Sequence, residues 1–112
     1  MTEALAVYGT LAPGEENHWV LRPVAGEWRP GTVKGWRFEV GWGPAEGYPG
    51  FLPDPDGNDV PVQVLVSERL EKHWREIDQF EGPGYERQSI AVTLDDGETV
   101  QAQIYVALTS ND

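Results

Sequence analysis

The chain has 112 residues, no cysteine, and 19 Asp and Glu against eight Lys and Arg, a formal charge of −11. That length predicts one domain over residues 1–112, and the lack of cysteine excludes disulfides, thiol nucleophiles and thiolate metal sites. The negative charge opposes binding to nucleic acid or to anionic membrane, so a small-molecule partner is the expectation.

The first apolar run, Ala4 to Tyr8, is short and continuous, as for a strand buried on both faces. With no basic region before it and no run approaching the roughly 18 residues of a membrane span, cytoplasmic residence is the default. Gly9 ends the strand, and a turn follows through Pro13 and Gly14. Glu15 to Leu21 is expected to form a short helix, with acids at its amino end and Pro23 as its stop. Gly31 to Val40 reads as a strand. From Gly41 to Pro61 the chain carries five Pro and five Gly, with Trp42, Tyr48 and Phe51 among them. This segment reads either as a binding loop or lid, or as a surface excursion whose aromatics pack on the core.

Val60 to Val66 alternates as a strand. The spacing then predicts a helix over Ser67–Glu81, with Ser67 as its N-cap and Gly82 just past its end. A hairpin closes the pattern. Ile90, Val92 and Leu94 alternate before Asp96-Gly97, and Val100, Ala102, Ile104 and Val106 alternate after it. The sum is an α+β domain, a mostly antiparallel sheet wrapped against one main helix, without internal repeats.

Glu81 stands out on that helix. Leu70, Trp74 and Ile77 recur at the i, i+4, i+7 spacing of one buried face, and the next position on the stripe is Glu81. A carboxylate aimed at a core is costly to desolvate, and burial raises its pKa, which readies it to act as a base near neutrality. The alternative is a helix that ends at Phe80 and leaves Glu81 in water. The turn Tyr8-Gly9-Thr10-Leu11, after a buried strand, is a second candidate. Its successive backbone N–H groups can converge on an anion or a developing oxyanion, although most such turns are only turns.

Other chemistries lack their residues. His18 and His73 show no metal-ligand spacing, and His73 reads as structural or exposed. A serine triad would need one of these histidines and one of three serines, Ser67, Ser89 or Ser110. Neither a P-loop nor a dinucleotide fingerprint is present. Acids are abundant, but no second buried one marks a glycosidase pair.

At these residues the sequence resembles the gamma-glutamylcyclotransferase-like family, which includes gamma-glutamylamine cyclotransferases and AIG2-like proteins. VYGTLAPGEENHWVL, Val7 to Leu21, is similar to the family's amino-terminal signature, and IDQFEGPGYERQSIAV, Ile77 to Val92, to its catalytic segment. QAQIYVAL, with Tyr105, fits its final strand. Gly47-Tyr48-Pro49-Gly50 looks like a family element, while Val60-Pro61-Val62-Gln63 departs from the usual Val-x-Gly-Glu. The resemblance runs from Leu5 to about Leu108. It implies a barrel-like sheet with one main and one short helix, and cyclisation of a gamma-glutamyl amine or peptide to 5-oxoproline without metal or cofactor. It also implies Glu81 as general base and Tyr8, Gly9, Thr10 and Leu11 as the substrate-binding turn. Arg87 reads first as a structural partner for nearby acids, and Tyr85 and Tyr105 line the pocket or fill the core. Beside the enzyme stand a non-catalytic small-molecule binding module on the same fold, and an interaction protein docking through Gly41–Pro61. The leaving group and the oligomeric state stay open.

Overall fold

The alternating segments pair into one closed sheet. The computed structural model describes residues 3–9, 11–41 and 47–108. Its strands are β1 (Glu3–Val7), β2 (Glu27–Glu39), β3 (Pro49–Pro53), β4 (Asn58–Ser67), β5 (Tyr85–Leu94) and β6 (Thr99–Ala107). The order is β3-β2-β4-β1-β6-β5, and β5 returns to pair with β2, closing five strands into a barrel with β3 hung outside on β2. The β1–β6 pairing is parallel. The others are antiparallel.

Closure depends on Gly31. It pairs with Leu94 across the β2–β5 seam, and a Cβ there would lie 2.9 Å from both the Thr93 carbonyl oxygen and Val92 Cγ1. Only a residue without a side chain lets the two strands approach so closely. The seam lies within a strand longer than the sequence suggests, since β2 begins at Glu27 rather than Gly31. Pro30 is accommodated there: Pro needs no donor partner, and its carbonyl accepts from Asp95 N–H at 3.1 Å.

The period-2 pattern sorts side chains to two cores. Ala4, Ala6, Val62, Val64, Val92 and Ile104 fill the barrel with Phe51. Leu5, Val7, Leu65 and Tyr105 point outward and meet Leu70, Trp74 and Ile77. Strand β1 is therefore buried on both faces, as its continuous apolar run implies.

The helical segment is shorter than its spacing predicts. Ser67 is the last residue of β4, its hydroxyl donating to the Ala25 carbonyl and accepting Arg69 N–H at 3.0 Å. It caps a turn rather than a helix. A 3-10 turn over Leu70–Lys72 follows, and the α-helix, α1, runs only from Trp74 to Glu81. The buried stripe survives because Leu70, Trp74 and Ile77 still face one side.

The expected Glu15–Leu21 helix is likewise only a 3-10 turn, His18–Leu21, after a run of turns. His18 Nδ1 lies 2.9 Å from the Leu11 carbonyl oxygen and its ring leans on Trp28, a structural role. The Gly41–Pro61 segment is not one loop. It contains β3 and the start of β4, with Trp42 outside the described residues.

Candidate active site

A cavity of about 300 Å³ opens where β1 runs out. Val7, Tyr8, Gly9 and Leu11 form one wall, Tyr48 and Pro49 another, and Phe80 and Glu81, at the end of α1, a third. Tyr85 and Tyr105 complete it from the first residue of β5 and the outer face of β6. Of the expected site residues, Glu81, Tyr8, Gly9 and Leu11 thus meet in one cavity, whereas Thr10 lies outside the described residues.

The helix does extend to Glu81. Gly82 ends it with φ +79°, a left-handed value that a side chain would strain, while its N–H donates to Asp78 carbonyl oxygen at 3.0 Å. Glu81 is therefore held on the last helical turn, partly buried, facing Tyr8, Tyr85 and Tyr105. Burial pushes its carboxyl up to about 7.

The tyrosines are fixed as neutral donors. The Tyr8 hydroxyl donates to the Tyr105 carbonyl (2.6 Å), that of Tyr85 to the Pro49 carbonyl (2.6 Å), and that of Tyr105 to Asp78 Oδ1 (2.6 Å). Burial is the main cause raising each of their pKa values, Tyr85 to about 12, and the nearby Glu81 charge adds to it. Each hydroxyl is committed to a protein acceptor. Among the residues lining the cavity, Glu81 is the one poised to change protonation near neutrality.

Behind the cavity, Asp78 anchors α1 to the barrel. Arg87 Nε and Nη2 donate to its two oxygens at 2.9 and 3.3 Å, and the guanidinium lies 4.4 Å from the centre of the Trp74 ring. Arg87 is thus the structural partner of an acid that the sequence suggests. Arg87→Met is expected to cost about 1–2 kcal/mol, combining a half-exposed ion pair with a cation–π contact, measurable by urea unfolding. An unchanged midpoint would show that the anchor carries no load.

Asn17 and Phe80 line the cavity without being singled out by the sequence, whereas Tyr48 comes from the segment that reads there as a binding loop or a surface excursion. Phe80 had a signal, since it directly precedes the suspect acid. Tyr48 lay in a Pro/Gly segment where facing cannot be read from periodicity.

The model of the family described as gamma-glutamyl cyclotransferase, AIG2-like, matches residues 5–112. The chain belongs to that family. Among solved structures, an AIG2-like protein from Mus musculus is 26% identical, with a TM-score of 0.73, covering 97% of this chain and 79% of its own. YkqA from Bacillus subtilis is 29% identical with a TM-score of 0.71, and all of this chain covers 39% of that one. A structure titled gamma-glutamyl cyclotransferase, 15% identical with a TM-score of 0.68 over 96% of this chain and 68% of its own, shares the fold. No match was found among curated proteins. Both segments that carry the resemblance to the AIG2-like family, around Tyr8 and around Glu81, contribute walls to the same cavity.

Proposed function

We propose that the protein cyclises a gamma-glutamyl amine or peptide to 5-oxoproline and releases the amine. The observation that carries this is a desolvated carboxylate, Glu81, facing a backbone turn across a cavity large enough for a glutamyl group. Membership of the gamma-glutamyl cyclotransferase, AIG2-like family supports it.

The chemistry asks little of the protein. A gamma-glutamyl compound carries its nucleophile, the α-nitrogen, and its electrophile, the γ-carbonyl, in one molecule. Holding it folded gains effective molarity, about 7–11 kcal/mol in the best model reactions. Backbone N–H groups of the Tyr8–Leu11 turn hold the glutamyl group, leaving the α-ammonium toward Glu81. Glu81 takes one ammonium proton, and the freed amine attacks the γ-carbon. The tetrahedral intermediate then collapses, breaking the bond to the leaving nitrogen, which receives that proton back from Glu81. The regenerated carboxylate passes on the second proton of the ring nitrogen, so the amine departs as an ammonium ion and the ring is left as a neutral amide N–H. Atoms and charge balance without water, metal or redox cofactor. A carboxyl near 7 lies close to an ordinary α-amino group, roughly 8, so the first transfer is nearly thermoneutral, and transfer to a more basic departing amine is downhill. The reaction is assigned to the cytoplasm as part of this reading.

The test is a panel of gamma-glutamyl compounds with 5-oxoproline as the readout. Product from at least one, with kcat/KM rising as pH increases through about 7 and levelling above it, is expected, because only ionised Glu81 accepts the proton. No product from any member would overturn the assignment and favour a binding module.

A further inference from the structure

Every Lys and Arg of the chain falls within the described residues, and none lines the cavity. Arg29, Lys34 and Arg87 are held by aspartates. Arg37 Nε donates to the Tyr8 carbonyl at 3.0 Å, so its charge sits behind the turn assigned to the glutamyl end rather than in the cavity. The other four are exposed. One carboxylate on a substrate therefore finds a partner at the turn. A second one, on the departing amine, would find no cation, and would face Glu81 on a protein of charge −11.

The rest of the described lining is mostly apolar and aromatic, with Asn17 its one polar side chain besides Glu81 and the tyrosine hydroxyls. Tyr48 and Phe80 line the cavity yet remain 48% and 37% exposed. Trp19, 56% exposed, packs edge-on against Phe80 with ring centres 5.9 Å apart. These three are among only five large apolar side chains exposed in the described structure, and they gather beside one opening. Exposed aromatics clustered at a cavity mark a binding surface, and their faces suit a flat apolar group.

We propose that the departing amine bears an apolar, preferably aromatic, group and no carboxylate, and that Trp19, Tyr48 and Phe80 select it. This rests on the cyclisation reading above. It makes the substrate a gamma-glutamyl conjugate of an arylalkylamine rather than a gamma-glutamyl amino acid or peptide.

Three probes separate the contributions: gamma-glutamyl phenethylamide, gamma-glutamyl phenylalanine, which adds one carboxylate, and gamma-glutamyl ethylamide, which lacks the ring. The phenethylamide is expected to exceed each of the others in kcat/KM by about tenfold or more. Trp19→Ala and Phe80→Ala are each expected to shrink its lead over the ethylamide. Equal or better turnover of the phenylalanine conjugate overturns the inference, as does a phenethyl-to-ethyl ratio of one. If no probe yields 5-oxoproline while another member of the gamma-glutamyl panel does, the inference is overturned and the cyclisation reading stands. If no member of the panel does, that reading fails, and the selectivity is then read by calorimetry of the same three compounds. Tighter binding of the phenethylamide than of both others upholds it, and any other affinity order overturns it.

Discussion

Replacing Glu81 with Gln is expected to remove 5-oxoproline formation by about 10²–10⁴-fold and, at pH 8, to make the protein more stable. The activity loss follows because an amide of the same shape cannot accept the ammonium proton. The stability gain follows from linkage. Burial raises the carboxyl from 4.5 to about 7, so between those values the folded state binds a proton that the unfolded state has released. Stability from this group is therefore fully present below about 4.5 and is lost as pH rises through about 7. At about 1.4 kcal/mol per unit, the loss is of the order of 3 kcal/mol. The uncharged amide escapes it. Thermal unfolding of both proteins at pH 5 and pH 8 should show the variant gaining only at the higher pH. Full activity in the variant would remove the base assignment, and equal gains at both pH values would show that Glu81 is not desolvated.

Phe51→Ala is expected to destabilise the protein by about 3–5 kcal/mol, lowering Tm by roughly 10–20 °C. The side chain is fully buried and the largest of those so enclosed. Its ring fills the barrel between β3 and β2, close enough to Gly35 that a Cβ there would lie 2.5 Å from its Cζ. It also supports the Tyr8 ring, with centres 5.7 Å apart. Loss of Phe51 therefore leaves a void behind one wall of the site, and KM should rise with the fall in stability. A loss below about 1 kcal/mol would mean that the barrel collapses around the gap.

Phe51 also shows where sequence reading stops. It sits in PGFLP, an edge strand with proline at both ends that, among the described residues, pairs only with β2. An edge strand can dispense with donors, so its composition looks like a loop. The terminal hairpin was legible because one face is core and the other solvent, so that alternation survives in the residues. The Leu70–Trp74–Ile77 stripe was legible for the same reason, though it spans a 3-10 turn and a helix rather than one helix. Barrel closure was not. It turns on Gly31 meeting β5, a pairing between distant segments that neither local pattern announces. The cavity falls between these cases. Glu81 and the turn before Leu11 were each visible, and what no local pattern supplies is that they face one space.

Tyr105 gives the assembly of that space an order in time. Its carbonyl receives Tyr8, 97 positions earlier, and its hydroxyl reaches Asp78, 27 positions earlier. One residue on the final strand thus clasps both the opening turn and the helix that carries Glu81. Contacts so distant in sequence form late, after the entropy of closing the chain has been met. The cavity therefore exists only where β6 lies beside β1, so its walls cannot be assembled from either half of the chain alone.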